Sequence, residues 1–345
     1  MTTAPCILVR ADASPDIGSG HIMRCLTIGN EIKAAGGRAV FACAAVTPAL
    51  AARIAEAGHA CRPVDGAPGS PDDAGSTMAL ARSYEATGLI LDGYAFGAVY
   101  RRQLRESGRP ILALDDLAAE ELFADIVLNP APSARPGDYA GIAEGAQLLL
   151  GPDFALVRPE VLAWRDHAAE RSEILVTFGG SDPLGLTAPV AEWLQARLPG
   201  VPLRLIVGGS ARDGAAVVDA LHARFPQTTV EHDVPDLGLR IRQARLAVSA
   251  AGSTMYELAA LGCPSLLVIV AENQEKAALA AAAEGWARSI DGRTPDAAPA
   301  IARTAEAMLR TPDVLQDLGR RAQERVDGRG AARVAEYLIT TVPAP

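Results

Sequence analysis

The stretch ILVRADASPDIGSGHIMRCL, residues 7–26, decides how the chain folds. It runs as a strand through 7–10, apolar but for Arg10, breaks into a loop of Asp, Ser, Pro and Gly, and re-enters order at His21 as a helix continuing through Met23, Arg24 and Leu26. A buried run feeding a glycine-rich turn and then a helix is the first part of a βα unit. The same alternation repeats along the chain. Short β-branched or apolar runs predict further strands at 39–42, 61–64, 89–92, 111–115 and 126–128. A second series restarts near residue 172, with strands predicted at 174–178, 203–207, 229–232, 246–249 and 265–270. Residues 129–136 and Gly151-Pro152 are strong breakers between the series, so the reading is two domains, 1–160 and 161–345, joined by a hinge within 150–172. The Ala-rich segment 277–284 reads as a packed helix ending at Gly285. Two open parallel sheets facing each other would bring their strand-end loops to one central cleft, where α/β folds bind ligands.

Composition narrows the function. The 345 residues are 49% hydrophobic, enough for two cores, and carry 32 basic against 41 acidic residues. A net charge of −9 argues against nucleic acid or an anionic membrane surface as a partner. Five cysteines, Cys6, Cys25, Cys43, Cys61 and Cys263, include no C-x-x-C pair, which fits a reducing cytoplasm better than a disulfide framework. Residues 1–5 show no basic and apolar leader, and no uncharged apolar run is long enough to span a bilayer. A soluble, cytoplasmic monomer is expected.

Candidate chemistry gathers at strand ends. Gly18 and Gly20 allow close backbone approach, and free N–H groups of the first helical turn favour an electron-rich group beside His21, which can then act as a neutral base. Asp12 is positioned either to orient His21, to hold a substrate hydroxyl or to cap its own loop. Asp92-Gly93-Tyr94 ends a strand with a carboxylate and a phenol that contact substrate or merely cap and cover. Asp115-Asp116 resembles a metal-binding pair but reads better as a helix cap, and no histidine cluster supports a metal. Gly179, Gly180 and Ser181 form a phosphate-loop candidate after a strand, without a Walker or full dinucleotide signature. Gly208-Gly209-Ser210 reads as a turn beside it. Gly252, Ser253 and Thr254 offer backbone and hydroxyl contacts to phosphate, while Glu257 can accept from ribose hydroxyls or close a capping box. Asn273 and Gln274 are amides suited to hydroxyl and acetamido groups, with Asn273 alternatively a cap.

Taken together, Arg10-Ala-Asp12, Gly18-Ser-Gly-His21-x-x-Arg24, Phe178-Gly-Gly-Ser-Asp-Pro183, Gly252-Ser-Thr-x-x-Glu257 and Asn273-Gln274 resemble the UDP-2,4-diacetamido-2,4,6-trideoxy-β-L-altropyranose hydrolases of pseudaminic-acid biosynthesis. The resemblance spans residue 6 to about 285 and includes LGPDFALVRP, 150–159, which chemistry alone does not interpret. It implies a GT-B fold similar to MurG-type N-acetylglucosaminyltransferases, with UDP held mainly by the C-terminal domain. It further implies that His21 is the base, that water attacks the anomeric carbon with inversion, and that no metal or other cofactor is needed. Glu257 would match the ribose ligand, Asn273 and Gln274 the sugar contacts, and Tyr94 the substrate-facing tyrosine. A transferase of the same fold needs the same base to activate an alcohol, and a non-catalytic nucleotide-sugar sensor would need only the binding residues.

Overall fold

A computed structural model describes residues 4–14 and 17–341. Residues 1–3 of the leading segment, Pro15 and Asp16 of the first loop, and the end of the second predicted domain at 342–345 lie outside the described residues. The chain forms two compact units, one of residues 1–156 with 329–345 and one of residues 157–328. In the first, strands β1 (Cys6–Ala11), β2 (Arg38–Cys43), β3 (Ala60–Pro63), β4 (Gly88–Asp92), β5 (Ile111–Leu114), β6 (Ile126–Asn129) and β7 (Gln147–Leu150) alternate with helices α1 (Gly20–Ala34), α2 (Pro48–Glu56), α3 (Pro71–Ser83) and α4 (Ala98–Arg105). The second begins with α5 (Pro159–Leu162) and β8 (Glu173–Thr177), then α6 (Thr187–Arg197), β9 (Leu203–Val207), α7 (Gly214–Arg224) and β10 (Thr229–His232). It continues through α8 (Leu237–Gln243), β11 (Ala244–Ala250), α9 (Thr254–Ala260), β12 (Ser265–Ile269), α10 (Glu272–Ala283) and β13 (Arg288–Asp291). Helices α11 (Ala297–Leu309) and α12 (Pro312–Arg325) complete it, and α13 (Gly330–Thr341) follows.

Both sheets are parallel and share one order, β3-β2-β1-β4-β5-β6-β7 and β10-β9-β8-β11-β12-β13. Their direction reverses between β1 and β4 and between β8 and β11, the switch points at which such sheets leave a crevice. Strand β1 shows why the first sheet forms. All six of its residues are buried, Ile7, Val9 and Ala11 in the core beneath α1 and Cys6 and Leu8 in the core on the opposite face. A strand covered on both sides reads as continuously apolar, as 7–9 does. Arg10 is the exception, with no exposed surface. Its guanidinium donates to both oxygens of Asp73 at 2.9 and 2.7 Å, pairs with Asp12 at 2.8 Å and lies 4.7 Å from the Phe96 ring centre. The predicted strands are present, and two were missed: β7 and β13, each at a sheet edge. In the Ala-rich helix α10, Ala277, Ala278 and Ala281 are buried, whereas Leu279 faces out and is 52% exposed.

The predicted domain limits need one correction. The division falls at 156/157, and the last helix joins the first unit rather than the second. Helix α13 presents Ala331, Val334, Ala335 and Leu338 to the core that holds Ile22, Cys25 and Ile28 of α1. Its Arg333 also donates to the Asp153 carbonyl at 2.8 Å. Small residues on one helical face let α1 and α13 approach closely, an attraction that no local sequence signal encodes. Leu338→Ala removes a fully buried side chain and should lower the unfolding free energy by about 2–5 kcal/mol, read from urea denaturation.

Candidate functional site

In the first unit the site begins at the β1/β4 switch point. Strand register sets Ala11 beside Asp92, so the loop leaving β1 and the carboxylate ending β4 are neighbours. The loop closes on Ser14: Gly18 N–H donates to its carbonyl at 2.7 Å and Ile17 N–H to its hydroxyl at 3.1 Å. Gly18 has φ +81°, a conformation that glycine adopts without strain. Helix α1 starts without a side-chain cap, and its second residue is His21. His21 Nδ1 lies 2.7 Å from Asp92 Oδ1. One turn on, Arg24 donates to both Asp92 oxygens at 2.5 and 2.6 Å and to both Asp116 oxygens at 2.9 and 3.1 Å. The Tyr94 hydroxyl donates to Asp116 at 3.0 Å, and its ring meets His21 edge-on at 4.9 Å.

These contacts select the tautomer of the imidazole. Burial drives the Asp92 carboxyl up, but Arg24 and His21 together more than offset it and hold it at about 2. An ionised carboxylate only accepts, so Nδ1 carries a proton, and in the neutral ring it is then Nε2 that has the lone pair to accept another. Arg24 Nη2 stands 3.3 Å from the same Nδ1, but two donors cannot bond each other, and the shorter carboxylate contact decides the tautomer. Among the described residues no side chain hydrogen-bonds Nε2. Burial lowers the Arg24 guanidinium, while Asp92 and Asp116 raise it further, so it stays charged.

Asp12 takes neither of the roles open to it toward His21 and its own loop, and instead braces the loop that follows β2. Its Oδ1 accepts from the Ala44 and Ala45 amides at 2.7 and 2.9 Å and pairs with Arg10. The residue that holds His21 is Asp92, which the sequence offers as a substrate contact or a turn cap at a strand end but not as the partner of His21. Asp115 braces its loop, accepting from Ala118 N–H at 2.7 Å and from the Tyr139 hydroxyl at 3.0 Å. Among the described residues no group of three His, Cys, Asp or Glu side chains is arranged to hold a metal ion.

The second unit builds its loops at the β8/β11 switch point. Gly179 has φ +76° and, like Gly180, is partly exposed, while Ser181 is exposed. Asp182 closes this loop onto α6 by accepting from Leu186 and Thr187 amides at 2.9 and 3.0 Å. The Gly208 turn packs directly beneath: a Cβ there would come within 2.3 Å of the Gly179 carbonyl. After β11, Gly252 and Thr254 are partly exposed and Ser253 exposed, and Ser253 makes no side-chain cap for α9. Gln274 accepts from Val270 N–H at 3.1 Å, and its amide nitrogen approaches Gly252, so the loops after β11 and β12 meet. Asn273 is exposed on the first turn of α10. Glu257 does not close a capping box. Both its oxygens accept from Arg158, at 2.5 and 3.1 Å, with Glu257 buried and Arg158 part-buried. Arg158 comes from the 150–159 segment, 99 residues away, and only the family resemblance pointed to that segment.

The chain matches no family model. It is 20% identical to an uncharacterised protein of Methanocaldococcus jannaschii over 78% of this chain and 56% of that one. It is 28% identical to the spore coat polysaccharide biosynthesis protein SpsG of Bacillus subtilis over 54% and 57%. The chain therefore spans little more than half the length of these relatives. It is also 22% identical to the UDP-2,4-diacetamido-2,4,6-trideoxy-β-L-altropyranose hydrolase of Campylobacter jejuni over 81% of this chain and 97% of that one, which bears out the resemblance. Among solved structures, Acinetobacter baumannii MurG matches with TM-score 0.64 at 16% identity over 97% and 99% of the two chains. The spinosyn rhamnosyltransferase SpnG, solved with thymidine diphosphate, matches with TM-score 0.68 at 17% identity over 97% and 100%. The fold is GT-B.

The Asp92 contacts carry a stability signature. An unfolded aspartate titrates near ~3.9, so a folded value of about 2 contributes about 2–3 kcal/mol above pH ~4. That contribution is lost as pH falls through the folded value. Asp92→Asn should therefore flatten the unfolding free energy between pH ~4 and ~2, measured by urea titration at a series of pH values; an unchanged slope would show that Asp92 is not the group responsible.

Proposed function

We propose that the chain hydrolyses a UDP-linked 2,4-diacetamido-2,4,6-trideoxy sugar to UDP and free sugar, with inversion and without a metal, in nonulosonic (pseudaminic) acid biosynthesis. The observation that carries this reading is the His21–Asp92 pair, a buried imidazole whose Nδ1–H is committed and whose Nε2 is available. Water held by Nε2 loses a proton as it attacks the anomeric carbon, and Asp92 stabilises the resulting imidazolium. The bond to UDP breaks, and the leaving diphosphate is received by backbone N–H groups at Gly179, Gly180, Ser181, Gly252, Ser253 and Thr254. Gly20 supports approach of substrate to the base, since a Cβ there would meet no atom of the described residues within 4 Å. Arg158 fixes the Glu257 carboxylate, whose remaining lone pairs accept from the ribose hydroxyls. Asn273 and Gln274 contact the sugar, and Tyr94 covers it beside His21.

The second reading is a glycosyltransferase, favoured by the similarity in fold to MurG and SpnG. It places an alcohol where the hydrolase has water. Incubating the purified chain with the UDP-diacetamido sugar and no acceptor separates the two: rapid UDP release supports hydrolysis, and release only on adding an alcohol supports transfer. EDTA should leave the rate unchanged, and loss of turnover restored by Mg²⁺ would overturn the metal-free assignment. His21→Asn should lower turnover by about 10²–10⁴-fold with UDP affinity retained, and the acid limb of the wild-type pH–rate profile should vanish from the residual rate. Near-wild-type turnover in that variant would send the search for the base elsewhere.

A further inference from the structure

Arg101, on the buried face of α4, is 8% exposed, and its side chain makes no hydrogen bond or ion pair among the described residues. Its Nε and Nη1 are shielded from solvent and unpartnered. Burial pushes the guanidinium below the ordinary arginine range, while Asp115 and Glu120 pull it back. Leaving a buried cation without acceptors is costly, and such a group calls for an explanation. Here an occupant has a place. Arg101 lines a cavity of about 40 Å³ together with Arg24, Asp92, Tyr94, Leu114 and Asp116. One water needs roughly 10–15 Å³ on this measure, so the cavity takes a few waters or one small substituent, not a whole sugar.

Charge identifies the substituent. Asp92, Asp115, Asp116 and Glu120 all line the cavity, and Arg24 is already committed to two of them. Four carboxylates against two guanidiniums repel a further anion, so the acceptor for Arg101 is a neutral oxygen. An amide carbonyl is a strong neutral acceptor. The same group carries an N–H for a carboxylate, and Glu120 has one oxygen outside its bond to the Ala98 amide. It also carries a methyl for Leu114 and for Leu117, which is 53% exposed at the rim. We propose that this cavity is an N-acetyl subsite next to the His21–Asp92 pair, in which Arg101 receives the carbonyl of one acetamido group of the sugar. Arg101 is then a specificity-determining residue. The assignment rests on the hydrolase reading above.

The test compares wild type with Arg101→Met and Arg101→Lys, using the UDP-diacetamido sugar, two analogues in which either acetamido group is replaced by hydroxyl, and UDP. The expected result is a wild-type preference of tenfold or more in kcat/KM for the diacetamido sugar over one analogue. Arg101→Met should abolish that preference through KM, with UDP affinity unchanged and thermal stability equal or higher, because an unpaired buried charge is gone. Arg101→Lys should restore part of it. Wild-type turnover with the same preference retained in Arg101→Met overturns the subsite and leaves the hydrolase reading intact, and a variant that only loses stability does the same. If the wild type releases no UDP, the hydrolase reading fails, and calorimetry with UDP-N-acetylglucosamine against UDP decides the subsite. An affinity increment from the sugar that Arg101→Met removes keeps it; no increment, or one that survives, overturns it.

Discussion

The Asp92 carboxylate, 1% exposed at the end of a central strand, is the constraint on which the first unit's site depends. A buried anion is tolerated only where cations and hydrogen-bond donors surround it. Here His21 and Arg24 supply them from one face of α1, three residues apart and therefore on adjacent turns. Meeting that requirement orients the first turn of the helix, selects the imidazole tautomer and keeps Arg24 spread flat between Asp92 and Asp116. Strand order does the rest. Because β1, β4 and β5 are successive neighbours, the loops that follow them deliver His21, Asp92 with Tyr94, and Asp116 to one edge of the sheet.

The two units use the same strand order for different chemistry. At its switch point the first unit concentrates ionised side chains around an imidazole. The second offers backbone: glycine turns after β8 and β9 that support one another, and a loop after β11 that meets the glutamine following β12. An ion pair of part-buried Arg158 with buried Glu257 ties the segment before β8 to α9. The pairing gives Glu257 a fixed direction while leaving acceptor capacity on both oxygens.

Much of this was legible beforehand, for identifiable reasons. Strands buried on both faces announce themselves as apolar runs, which is why β1, β4, β8, β11 and β12 read clearly. The missed strands β7 and β13 are edges, and the Arg, Ser and Asp of β13 give no such run. His21 stood out because glycines frame it. Its partner did not, since Asp92 lies 71 residues away and only the crossover between β1 and β4 makes them neighbours. Arg158 was invisible to local chemistry for the same reason, and Asp12 misled because its loop position suits a backbone brace as well as a catalytic partner. Arg101 gave no sign at all. On an amphipathic helix one arginine looks like another until burial is known.

The return of α13 to the first unit has a temporal consequence. The second unit is inserted, in chain order, between the bulk of the first core and the helix that finishes it. On a ribosome adding roughly 5–20 residues per second, about 170 residues must emerge between Leu156 and that helix, a delay of about ten to thirty seconds. Throughout it the apolar groove along α1 is uncovered while the second unit is still being made. Nascent chains are thus most vulnerable to misassociation at the very helix whose first turn bears His21.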